Sequence, residues 1–203
     1  MLRVAVWIIV FALSQPCIGQ ARKVRMGVKA GGNLCATYKL INPDYVYMRL
    51  GWYVGGQVQI PVSKKLLIQP ELLYSSKGFR TLFYIPRNDK ASIRLNYLSL
   101  PIIANYSVTN KFLVGIGPEL GYLVSAKTRF PSKEVFDVSD QYPVKFDFGI
   151  DANLEYKIFS NLGIGLRYYY GFRTYYYTTV DGTRVGDSKG GNLTFQFGLS
   201  YIF

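Results

Sequence analysis

At 203 residues the chain is long enough for one domain with a substantial interior, and its lack of any histidine excludes Ser–His and Cys–His catalysis and a histidine-held metal. Hydrophobic residues make up 49%, yet no apolar run is long enough to cross a bilayer as a helix. The net charge of +12 raises nucleic acid as a partner, but the basic residues are scattered, so a basic surface facing anionic lipid headgroups fits better and no nucleic acid is expected.

The chain opens with Arg3, an apolar stretch from Val4 to Leu13, and an exit through Ser14, Gln15, Pro16, Cys17, Ile18 and Gly19. This order reads as a secretory signal peptide over residues 1–19, with a mature domain over 20–203. Pro16 ahead of Cys17 argues against a lipoprotein signal. Cleavage removes Cys17 and leaves Cys35 alone, so no intramolecular disulfide can hold the exported chain.

After the signal, apolar and polar residues alternate with a period of two, the pattern of half-buried strands. Eight segments follow. Val24, Met26, Val28 and Ala30 oppose Lys23, Arg25, Gly27 and Lys29; Leu50, Trp52, Val54, Val58 and Ile60 oppose Gly51, Tyr53, Gly55, Gln57 and Gln59. In the third, Leu66, Ile68, Leu72 and Tyr74 face away from Gln69, Glu71 and Ser75. The fourth sets Leu98, Leu100, Ile102 and Ala104 against Ser99 and Asn105, and the fifth sets Val114, Ile116, Leu120 and Tyr122 against Gly115, Gly117, Glu119 and Gly121. The sixth runs from Lys145 to Lys157 with Asp147, Asp151 and Glu155 on its polar face. The seventh spans Leu162 to Arg173, and the eighth ends the chain with Phe195, Phe197, Leu199, Tyr201 and Phe203 on one side. Each is long enough for a tilted transmembrane strand.

Connections alternate in length: short near Ser63–Lys65, Ser107–Lys111 and Lys157–Asn161, long near Lys39–Arg49, Lys77–Ser92, Ala126–Pro143 and Thr174–Gly191. Short inner turns and long outer loops predict an all-β fold, an eight-stranded antiparallel up-and-down transmembrane β-barrel in the bacterial outer membrane. A soluble lipocalin-like barrel shares the alternation with the faces exchanged. Against it stand a polar face rich in glycine, as a narrow lumen requires, and aromatics near the segment ends: Tyr74, Tyr106, Phe112, Tyr122, Tyr156 and Phe203. Pro61, Pro70, Pro101 and Pro118 lack an amide hydrogen and are expected at bulges or other irregularities.

Pro70–Glu71–Leu72–Leu73–Tyr74–Ser75 with Lys77–Gly78, then Tyr97–Leu98–Ser99–Leu100–Pro101–Ile102, Gly117–Pro118–Glu119, Phe146–Asp147–Phe148–Gly149 and Arg167–Tyr168–Tyr169–Tyr170–Gly171, occur in an order that resembles the Bacteroidetes outer-membrane β-barrel family with its PorT-like proteins. The resemblance covers almost all of the mature chain. It implies an eight-stranded outer-membrane barrel, with a link to protein secretion through PorT-like relatives.

Glu71, Glu119, Asp147, Asp151, Arg167 and Arg173 would lie in the lumen as ion pairs, together with Lys29 and Glu155. Folding the sixth segment onto the seventh about Lys157–Asn161 places Asp151 near Arg167 and Asp147 near Arg173. Opposite charges supply one another's partners, so these groups read as structural rather than as paired catalytic carboxylates or a gated ion path. Tyr175, Tyr176 and Tyr177 form a candidate interface for a protein or glycan. The expected role is structural or interactive, without catalysis, cofactor or metal. The partners are outer-membrane lipid and other envelope or secretion proteins; a small-solute channel and a lipid-modifying enzyme are the alternatives.

Overall fold

Alternating polarity becomes strand wherever both faces can be satisfied at once, apolar side chains by lipid and polar ones by each other. In a computed structural model this holds along nearly the whole chain, described over residues 23–38, 46–83, 89–130, 132, 134–142, 144–172, 174–180 and 183–203. The strands are β1 (Arg25–Tyr38), β2 (Val46–Tyr47), β3 (Arg49–Pro61), β4 (Leu66–Phe83), β5 (Asp89–Ser107), β6 (Phe112–Arg129), β7 (Val135–Asp137), β8 (Phe146–Lys157), β9 (Leu162–Gly171), β10 (Thr174–Val180) and β11 (Thr183–Ile202). The order β1-β3-β4-β5-β6-β8-β9-β11 is antiparallel throughout, and β1 pairs with β11 from Gly27↔Ile202 to Tyr38↔Gly191. The eight long strands thus close into a barrel. The predicted signal peptide lies outside the described residues.

The three short turns share one hydrogen-bond pattern. Val62 and Ser63 N–H donate to the Leu66 carbonyl, Val108 and Thr109 to Phe112, and Ile158 and Phe159 to Leu162. In the first two, Ser63 Oγ and Thr109 Oγ1 also accept amide hydrogens two and three residues on. The outward face carries two aromatic belts. Tyr106, Tyr156, Tyr201 and Phe203 lie near the turns; Trp52, Tyr74, Tyr122, Phe146 and Phe172 lie toward the other rim, with Trp52–Tyr74 at 5.5 Å and Tyr122–Phe146 at 5.2 Å between ring centres.

Two expectations need correction. The stretch Lys77–Ser92 is mostly not loop: β4 and β5 stay paired out to Phe83↔Asp89, and β6 follows to Arg129. They do so because the extension has its own apolar interior of Phe79, Ile93, Leu95, Tyr97, Leu123, Ala126 and Tyr142. Likewise Thr174–Gly191 contains a hairpin, β10 against β11. Pro70, Pro101 and Pro118 do fall at irregularities, which take the form of gaps in the ladder. The ladder is interrupted between Gln57↔Glu71 and Ile60↔Ile68 beside Pro70, and again beside Pro101 and Pro118, and it resumes each time in the same register. In the barrel wall proper, the register shifts once, between Asn96 and Tyr97 against β6.

Candidate functional site: the barrel lumen and its outer cap

Inward-facing positions pack glutamine, asparagine, carboxylates and cations into a buried interior. Toward the turns, Gln69 is the hub: its Nε2 donates to Gln57 Oε1 (2.9 Å) and Glu71 Oε1 (2.7 Å), and its Oε1 accepts from Gln59 (3.2 Å) and Asn105 (3.3 Å). Asn153 donates to Asn105 Oδ1 at 3.0 Å and Arg25 to Gln59 at 2.9 Å.

At mid-depth Glu71 is fully buried and receives a two-pronged grip from Arg167, Nη1 to Oε2 at 2.9 Å and Nη2 to Oε1 at 2.7 Å. The two residues stand on β4 and β9, which face each other across the ring of strands, so this pair spans the lumen. Lys29 Nζ adds a third contact at 3.0 Å and lies 4.0 Å from Glu155. One layer outward, Lys77 Nζ pairs with Glu119 at 2.5 Å, Ser99 Oγ donates to the same carboxylate at 2.9 Å, and the Tyr169 ring lies 3.6 Å from the ammonium. Asn192 donates to Asp147 at 2.7 Å and to Tyr97 at 3.3 Å.

A tyrosine also fills the lumen from β3, and it does so over glycine. Tyr53 lies across Gly31 and Gly198, where an added Cβ would come within 2.8 and 2.4 Å of its ring and hydroxyl. Above Lys77, the Tyr97–Tyr142 cluster closes the lumen with apolar side chains, and the turn Ser139–Gln141 is tied down by Lys145 Nζ to the Ser139 carbonyl at 2.7 Å.

Glu71, Glu119, Asp147, Asp151 and Arg167 all lie in this interior. Their pairing differs from the hairpin reading. The β8–β9 register sets Asp151 opposite Tyr169 and Asn153 opposite Arg167, two positions away from the expected Asp151–Arg167 pairing, because the turn is centred one residue later than Phe159. Arg167 is drawn to Glu71, and Asp151 has no hydrogen-bond partner on either oxygen among the described residues. Arg173 lies outside the described residues, and so do the side chains of Tyr175, Tyr176 and Tyr177, whose backbones pair with Lys189, Ser188 and Asp187.

Two cations escaped the sequence reading. Lys77 continues the inward series Gln69, Glu71, Leu73, Ser75, and that parity was the available signal. Arg49 turns inward to the Lys77 carbonyl (3.0 Å) and Ser76 Oγ (3.3 Å), and it shares the parity of Gly51, Tyr53 and Gln57 on β3. Cys35 is a buried free thiol on β1. Among the described residues no group of three His, Cys, Asp or Glu is placed to hold a metal ion.

A closed barrel with an apolar, belted exterior and a polar, charge-paired interior defines an integral membrane β-barrel. The outer membrane protein beta-barrel domain family matches residues 12–176, and the chain belongs to that family, which places it in the bacterial outer membrane. Among solved structures it is similar to Neisserial surface protein A (12% identity, TM-score 0.54, covering 90% of this chain and 100% of that one). The attachment invasion locus protein Ail of Yersinia pestis is also similar, at 14% identity and TM-score 0.49, with 90% and 100% coverage. Outer Membrane Protein W of E. coli follows at 13% identity and TM-score 0.45, with 91% and 100% coverage. These likenesses concern fold alone. No curated protein matches the chain.

Proposed function

We propose that this protein is a non-conducting, non-catalytic scaffold of the outer membrane that presents its extension to an envelope partner, in line with the resemblance to PorT-like proteins a component of a Bacteroidetes secretion assembly. The observation that carries the reading is the filled lumen: the Arg167–Glu71 pair bridges opposite strands at mid-depth, and the Phe79–Tyr142 cluster lies above it. A path for solute would need both to open, and leaving a buried charge unpaired costs about 3–5 kcal/mol. The absence of histidine likewise removes the usual general base from a lipid-modifying enzyme.

A small-solute channel is the second reading, favoured by the two Asp151 oxygens that have no hydrogen-bond partner among the described residues. Crosslinking in intact cells, followed by pull-down from the outer membrane, and planar-bilayer recording of the purified barrel separate the two. A stoichiometric envelope partner with no steady conductance is the expected result. A barrel recovered alone that conducts steadily would reverse it.

A further inference from the structure

The outward face of the extension carries four exposed cations on three neighbouring strands: Arg80 on β4, Arg94 on β5, Lys127 and Arg129 on β6. Register fixes their arrangement. Ser92 lies between Arg80 and Arg129, and Arg94 lies between Gly78 and Lys127. Cation and small residue alternate across β4 and β5, β6 carries a cation in both rows, and Gly78 has φ 126°, a backbone conformation that disfavours any side chain there. With strands about 4.8 Å apart, the patch is about 10 Å wide.

Such a patch works against the fold unless something neutralises it. Arg94 and Lys127 face each other directly across the ladder, a like-charge pairing that destabilises a sheet. Among the described residues none of the four makes an ion pair. The acid nearest by register is Asp137, opposite Lys127, and its Oδ1 accepts the Ser139 N–H at 2.8 Å. Among the described residues Asp137 is the one acid that register sets against any of the four, so the face keeps a net positive charge complementary to an anion.

Its height tells which anion. The row Tyr74–Leu98–Tyr122 belongs to the outer aromatic belt, and Arg94 lies four residues beyond Leu98. At about 3.3 Å per residue and a tilt of about 45°, that puts Arg94 roughly 9 Å above the belt, at the outer headgroup layer. Arg80 and Arg129 sit one row further out. The geometry points to a docking site for the phosphates of an outer-leaflet glycolipid on Arg80, Arg94, Lys127 and Arg129, with acyl chains against Tyr74, Leu98 and Tyr122 below. This assignment stands apart from the secretion reading, since it requires only the membrane placement.

The test reconstitutes the full chain in phosphatidylethanolamine vesicles containing diphosphorylated lipid A, or the same lipid A with both phosphates removed, and follows the unfolding midpoint by heat-dependent gel migration. The midpoint rises with the phosphorylated form and not with the dephosphorylated one. The R80S/R94S/K127S/R129S variant loses most of that rise, yet in plain vesicles it unfolds no earlier than the native chain, because the repulsion is gone. An equal rise without phosphates, or an undiminished rise in the variant, overturns the proposal. So does a soluble sulfated polysaccharide that stabilises the protein in detergent as strongly as lipid A does in vesicles, which would hand the face to a different polyanion. If the fourfold variant does not fold, Arg94→Ser against Arg94→Lys gives the same reading: loss with serine, retention with lysine.

Discussion

Within single strands the protein is built two opposite ways. Along the membrane part of β5, Leu98, Leu100 and Ile102 face outward while Ser99 and Asn105 are buried; a few residues further out, Ile93 and Leu95 are buried while Arg94 is exposed. The neighbours follow, with Leu72 out and Glu71 in below, Phe79 in and Arg80 out above. The inversion falls at Asn96–Tyr97, where the register against β6 slips by one. Period two reports a strand; which parity is apolar reports the solvent on each side. The barrel wall is held by polar contacts inside and lipid outside, whereas the extension is held as a water-soluble sheet is, by an apolar interior.

That contrast makes distinct demands on substitution. The largest effect should come from Arg167→Ala, which leaves the buried Glu71 with Lys29 as its one paired cation and should destabilise the barrel by about 3–5 kcal/mol, read as a lowered urea or heat midpoint in detergent. Leu95→Ala removes a buried side chain from the extension, a loss of about 2–5 kcal/mol that should surface as faster proteolysis above the membrane with the barrel's own midpoint little changed. Should the whole barrel melt with it, the two regions are one cooperative unit and the contrast fails. The smallest effect is one of pH. The Ser139 hydrogen bonds at Asp137 hold its carboxyl below its usual value, so its contribution to the extension is complete above about pH 4 and fades as pH falls through the lower native value. Proteolytic protection of 135–142 at pH 5 against pH 3 (roughly either side of the usual carboxylate range) should fall, and Asp137→Ala should abolish that difference.

The barrel was legible because lipid and lumen impose alternation on every residue of a spanning strand. Glu71 and Arg167 could both be assigned to the lumen for the same reason. Their partnership could not, since it joins opposite strands 96 positions apart, whereas hairpin folding yields only side-by-side neighbours. The extension was hidden by its own chemistry: read with membrane parity, Phe79, Ile93 and Leu95 fall on the wrong face, and the stretch passes for loop. Arg80, Arg94, Lys127 and Arg129 add to a net charge that sequence shows only as scattered, because they become one patch only after three strands are laid side by side. Pro70, Pro101 and Pro118 could be recognised as breaks in the ladder, but only the register shows that each break leaves the alignment on either side untouched.

The seam between β1 and β11 has a consequence in time. Every residue of β1 from Gly27 to Tyr38 waits for a partner between Gly191 and Ile202, so the first strand made is finished by the last to arrive. Ring closure over so long a chain adds little free energy, because each doubling of a loop costs only about 0.6 kcal/mol. What it demands is delay. Until the seam zips, the sheet has two raw edges, and raw edges recruit strands from other chains. The journey to the membrane is therefore the hazardous interval of this protein's life, when an escort that masks the unpaired strands decides between a barrel and an aggregate.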